Sequence, residues 1–161
     1  MHVATPNSFV LAIRSERTYW TGTVKTGYHE DKDMKIGLTS VFVDDQEKAL
    51  DFYSRVLGFV KKLDITAGEF RWLTVVSPEE PDGTQLLLGP NDNPAAKTYQ
   101  EAIFRQGIPA ANFFVDDVQG EYDRMRKAGV AFTMAPTKTP GSTIVIFDDT
   151  CGNLIQLTQL H

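Results

Sequence analysis

One cysteine, Cys151, stands in 161 residues, so no disulfide can close within the chain. That excludes a small scaffold held by bridges. It fits a reducing compartment, and the cytoplasm is the expected location. Histidine is nearly as scarce. His2 and His29 precede the first strand-like run and His161 is the last residue, and neither HVATPNSFVLAI nor YHEDKD has the ligand spacing of a zinc motif. Long apolar runs are missing, which argues against a membrane span. Basic residues are outnumbered: 16 Lys and Arg against 21 Asp and Glu give a formal charge of -5, so nucleic acid is offered no broad positive surface. No G-x-G-x-x-G follows a strand, no phosphate loop is present, and no Ser/His/Asp set is suggested by position. What remains is 42% hydrophobic, enough for one fair-sized core or two small modules that share one.

The first 33 residues differ from the rest. They hold one apolar patch, Phe9 to Ile13, then a Gly/Thr-rich stretch and the charged HEDKD. The expectation is an N-terminal extension, peripheral or flexible, ahead of a domain over about 34–160. Within that domain KIGLTSVFV alternates at a strand period, and Asp44 and Asp45 end it. QEKALDFYSRVL repeats apolar residues at helical steps and stops at Gly58. FVKKLDI, FRWLTVV and TQLLLG then read as strands separated by turn residues. The pattern is β-α-β-β-β over about 35–90. After a linking helix over about 94–106 it recurs over about 108–160, from IPAANFFV to NLIQLTQL. The copies align without a gap through Asp44/Asp45 and Asp116/Asp117, yet slip by one residue at Gly58 and Gly129.

A four-stranded sheet with one helix buries only its helix side, so the other face must meet something else. Two such sheets can curl around a shared cavity or pair across a dimer. Alternation sends Val41 and Val43 toward the helix and leaves Leu38, Ser40 and Phe42 for the cavity side, matched in the second copy by Ala110, Asn112 and Phe114. Mixed polar and aromatic residues suit a small-molecule pocket, and equally an ordinary core with satisfied polar groups. Trp72 is expected as a pocket wall or as core, with Arg71 on the opposite, solvent or dimer side, or as an anion binder if the two faces are exchanged. Tyr53 and Tyr122 are expected to pack with exposed hydroxyls. The aspartate pairs 44/45, 116/117 and 148/149 are read as caps and turns. Cys151, in a turn, has no histidine placed to activate it.

VFVDDQEKALDFYSRVLGF, FFVDDVQGEYDRMRKAGVAF and IVIFDDTCGNLIQL resemble the vicinal oxygen chelate superfamily of glyoxalase I, bleomycin-resistance proteins and extradiol dioxygenases. The resemblance implies an α+β fold of two βαβββ modules forming curled mixed sheets around a cavity, often in a homodimer. Metal-dependent members draw His, Gln or Glu ligands from four strand positions. Carried over here, these fall at Leu38, within Leu86–Leu88, at Ala110 and at Gln156. Alkyl side chains have no lone pair to give a cation, so no metal and no cofactor is expected. Gln156 remains as an amide able to hold a polar ligand without a metal. The expected function is a metal-free small-molecule-binding protein with its ligand in the cleft between modules. A glyoxalase-like lyase or extradiol-type dioxygenase with an unconventional site is one alternative. A structural or regulatory dimer with side-chain-filled cavities is another.

Overall fold

The computed structural model describes residues 34–161, and the N-terminal extension lies outside the described residues. The first module runs β1 (Leu38–Val43), α1 (Gln46–Asp51) with a π-helical turn (Phe52–Val56), β2 (Val60–Ala67), β3 (Phe70–Val76) and β4 (Gln85–Pro90). The helix α2 (Pro94–Arg105) leads to β5 (Ala111–Phe114), α3 (Val118–Lys127), β6 (Phe132–Thr139), β7 (Ser142–Asp148) and β8 (Leu154–Leu160). Each module makes its own sheet, in the orders β1-β4-β3-β2 and β5-β8-β7-β6. The first strand of each is parallel to the last and the remaining pairs are antiparallel.

Local chemistry sets the helix ends. The Asp45 carboxylate accepts from the Glu47 and Lys48 amides at 2.8 and 3.0 Å, and Asp117 accepts from Gly120 at 3.0 Å. Each satisfies N–H groups that the first turn leaves unpaired. Both helices stop at a glycine with positive φ, Gly58 at 82° and Gly129 at 87°. The one-residue slip between the copies has a structural cause. The first helix widens into a π turn, with the Leu57 amide donating to the Phe52 carbonyl at 3.2 Å. A π turn absorbs one extra residue without breaking the helix. The second helix has no such turn.

Strand alternation then decides burial. Val41, Val43, Leu73, Val75, Leu86 and Leu88 of the first sheet are buried on its helix side, as are Val145, Phe147, Ile155 and Leu157 of the second. Fully burying such a side chain contributes about 1.5–3 kcal/mol. These residues join Phe52, Tyr53, Val118 and Met125 in one hydrophobic cluster. Phe52 meets Phe147 at 6.2 Å between ring centroids, and Phe59 meets Phe113 edge-on at 5.1 Å.

That shared core corrects the expectation of sheets curled around a cavity. Both sheets are open, each ending in two unjoined edge strands, and neither closes. The helix-bearing sides supply the common core, so the opposite faces, expected to line an enclosed cleft, point outward from it. Among the described residues no helix is long and apolar enough to cross a membrane.

Candidate functional site

On the first sheet, pairing places Leu38 beside Gln85, Ser40 beside Leu87, Leu87 beside Thr74, and Trp72 beside Ile65. These side chains share the face turned away from the helix. Leu38 and Trp72 remain more than a third exposed and Ile65 nearly half. Thr74 lies deep among them. Its hydroxyl accepts from the Leu63 amide at 3.2 Å and donates to Gln85 Oε1 at 2.7 Å. That amide would otherwise be stranded by the bulge between Lys61 and Leu63. Among the described residues that the pairing places on this face, none is charged. Lys61, Asp64 and Arg71 lie on the other side, where Arg71 is held by Asp64 at 2.7 and 2.9 Å and by Glu47 at 2.6 Å, while Lys62, at the bulge, donates to Asp82 at 2.9 Å. The guanidinium beside Asp64 holds that carboxyl far below the usual carboxylate range. Arg71 therefore has its carboxylates already and does not face the candidate site.

On the second sheet, Asn112 pairs directly with Gln156, and Gln156 with Ile146. Thr158 donates to Asn112 Oδ1 at 2.7 Å, and Gln156 Nε2 donates to Thr158 Oγ1 at 3.0 Å and to Asn112 Oδ1 at 3.4 Å. Phe114 stands next along β5, 65% exposed. Among the described residues Asp148 is the one charge of this face, at its edge, and it accepts from the Thr150 amide at 2.6 Å. Of the eight residues expected to line a pocket, Leu38, Ser40, Phe42 and Trp72 thus share one open face, and Asn112, Phe114 and Gln156 share the other. Ala110 precedes β5 and packs against the common core.

Metal ligation finds no support at the four carried-over positions. Leu38, Leu86–Leu88 and Ala110 offer no donor, and Gln156 is engaged with Asn112 and Thr158. Among the described residues no group of three or more His, Cys, Asp or Glu is placed to hold an ion.

A groove of about 920 Å³ opens where the first helix ends and β5 and β8 finish. Phe59, Phe114, Leu160 and Arg124 line it, and Arg124 is committed to Glu121 and to the Val56 carbonyl. Phe114 is the only one of the eight residues on its walls.

Sequence reasoning missed a buried polar junction between the modules. Tyr53 is fully buried, against the expectation of an exposed hydroxyl, and donates to Asp149 Oδ2 at 2.9 Å. Asp149 is no simple turn residue. Its carboxylate also accepts from the Cys151 and Asn153 amides and from Asn153 Nδ2, at 2.7–2.9 Å. Gln100 of α2 donates to the Phe42 carbonyl at 2.7 Å and to the Cys151 carbonyl at 3.0 Å. Burial lifts the Asp149 carboxyl above its usual range, and burial followed by the Asp149 charge pushes the Cys151 thiol up to about 12. Cys151 is fully buried and is no reactive nucleophile. The spacing of Asp149 and Asn153 around Gly152 was the available signal, but the partner Tyr53 lies 96 residues away.

Residues 35–157 match the model of the Glyoxalase/Bleomycin resistance protein/Dioxygenase superfamily. The chain belongs to that superfamily. A relative from Bacillus subtilis (strain 168), the uncharacterized protein YurT, is 58% identical over 126 residues, spanning 78% of this chain and 99% of YurT. The crystal structure of UcmS2 is 32% identical, with a TM-score of 0.69 over 78% of this chain and 97% of UcmS2. TnmS3, described as an antibiotic binding protein from Streptomyces sp. CB03234, is 30% identical, with a TM-score of 0.65 over 83% of this chain and all of TnmS3. Superfamily membership agrees with the paired βαβββ order.

Proposed function

We propose that this chain is a small-molecule-binding member of the superfamily, with a site completed when a second copy lays its second sheet over the first sheet of its partner. One observation carries the reading: among the described residues the two outward faces are almost free of charge and mix aromatic, aliphatic, amide and hydroxyl side chains. An apolar lining with a few placed polar groups is what a ligand pocket requires. Left in water, Ile65 and Trp72 on one face and Phe114 and Leu160 on the other would expose apolar area of the kind that marks an interaction site. The likeness to TnmS3 supports binding rather than turnover.

Sedimentation of the full chain tests the arrangement. The wild type is expected to run as a dimer. Ile65→Asp, which buries a charge at the facing surface, is expected to run as a monomer with an unchanged circular dichroism spectrum. A thermal-shift screen of uncharged aromatic compounds tests binding, since a ligand at a hundredfold excess over its Kd adds about 2.7 kcal/mol to the native state. A monomeric wild type that no compound stabilises would refute the proposal.

A further inference from the structure

The ring of hydrogen bonds on the second sheet leaves a definite remainder. Thr158 spends its single proton on Asn112 Oδ1 and receives Gln156 Nε2. Asn112 Oδ1 is thereby occupied, and its Nδ2 group has no acceptor among the described residues. Gln156 Oε1 likewise has no donor among the described residues. Turning both amides over and reversing the hydroxyl proton exchanges the roles and changes nothing else: one NH2 and one carbonyl oxygen are still left over. The two side chains arise from directly paired residues of parallel strands, so the spare donor and spare acceptor stand side by side on one face.

We infer that the ligand is uncharged and carries a hydrogen-bond acceptor and donor on neighbouring atoms, as in a lactam, an amide or a hydroxy-carbonyl edge, and that Asn112 and Gln156 read that edge. The inference rests on the binding-site reading above and names the ligand class. Charge is selected against for a separate reason. Among the described residues neither face offers a full counter-charge at its centre, and a desolvated ion without one loses several kcal/mol. The body of the ligand is flat and apolar. The surfaces available to it are Phe114, the next outward-facing residue along β5 from Asn112, and Trp72 on the opposite open face.

Three probes of one shape separate these elements. Carbostyril has a lactam edge on an aromatic bicycle, N-methylcarbostyril lacks the donor, and quinaldate carries a negative charge. Each is titrated into the full chain, with binding read by calorimetry. Carbostyril is expected to bind about tenfold more tightly than its N-methyl analogue, the worth of one buried hydrogen bond left unmade, and quinaldate is expected not to bind. Asn112→Leu and Gln156→Leu, checked for an unchanged thermal melt, are expected to remove that preference. Equal affinity for the two neutral probes, tightest binding of quinaldate, a preference that survives both substitutions, or no binding of any probe would overturn the inference. The wider reading fails on different evidence, a monomer that no compound in the screen stabilises.

Discussion

Removing one hydroxyl tests the junction between the modules. Tyr53→Phe deletes the bond to Asp149 Oδ2 and leaves the ring packed against Phe52 and Phe59. A buried hydrogen bond to an ionised group contributes about 1.5–3 kcal/mol. Asp149 retains three other donors, so the lower end applies, and a loss of about 1.5–2 kcal/mol is expected. Asp149→Ala strands four donors at once and should cost about 3–5 kcal/mol, in the range for breaking a buried charged network. In the Asp149→Ala background Tyr53→Phe should cost almost nothing, because its partner is gone. Urea unfolding at neutral pH measures all four corners of the cycle, read as midpoint shifts at constant slope.

The same site predicts a pH dependence with a definite sign. Burial outweighs the hydrogen bonds and raises the folded pKa of Asp149 above the ordinary 3.8. The folded state therefore keeps this proton to higher pH than the unfolded chain does. The contribution of this carboxyl to stability is full below 3.8 and is lost as pH rises through the folded value. Asp149→Asn should remove that slope. The Tyr53 hydroxyl acts the other way, pulling the pKa down, so the cost of Tyr53→Phe should shrink as the solution is acidified. A Tyr53→Phe penalty below about 0.5 kcal/mol, the level of an ordinary surface substitution, or an equal penalty with and without Asp149, would refute the reasoning.

Three further outcomes concern the turn around Cys151. Gly152 has φ 97°, and an added Cβ would stand 2.7 Å from the buried Gln100 amide, so Gly152→Ala should cost about 2–4 kcal/mol from backbone strain and overpacking, measured by urea unfolding. Thr150 is β-branched at φ 63°, and Thr150→Gly should stabilise the chain by up to about 1 kcal/mol in the same assay. The Cys151 thiol should resist a disulfide reagent in the folded chain and react at once in denaturant. Rapid stoichiometric labelling of the native protein would contradict its burial.

Much of the architecture was legible because it is periodic. The repeat, the caps at Asp45 and Asp117 and the glycine stops all follow from local rules, and each is present. The slip between Gly58 and Gly129 was visible too, but a count shows only that one copy has a residue more, whereas a π turn at Phe52–Val56 shows where it goes. The face of each strand was also readable: Val41 and Val43 point inward, and Trp72 points to the open side. What alternation could not give is which two faces meet. Period two divides a strand into sides, but says nothing of whether the helix sides or the open sides of two modules pack together. That choice was made by contacts distant in sequence, among them Phe52 with Phe147 and Tyr53 with Asp149.

This choice has consequences for how the fold can carry function. A module that spent its open face on its own neighbour would have no surface left for a ligand. Here the helix sides supply the shared core, and the junction of Tyr53, Gln100, Asp149 and Asn153 ties the two modules to α2 through buried polar bonds. Those bonds are directional, so they fix where the modules stand as well as holding them together. The open faces are therefore presented on a rigid base, with Asn112 and Gln156 held in place by Thr158 rather than by any ligand. Pre-formed polar groups lower the ordering cost of binding. On this argument, loosening the junction by Asp149→Asn should weaken carbostyril binding even though Asp149 touches neither open face. An unchanged affinity in that variant would show that the faces are positioned by their own strands alone.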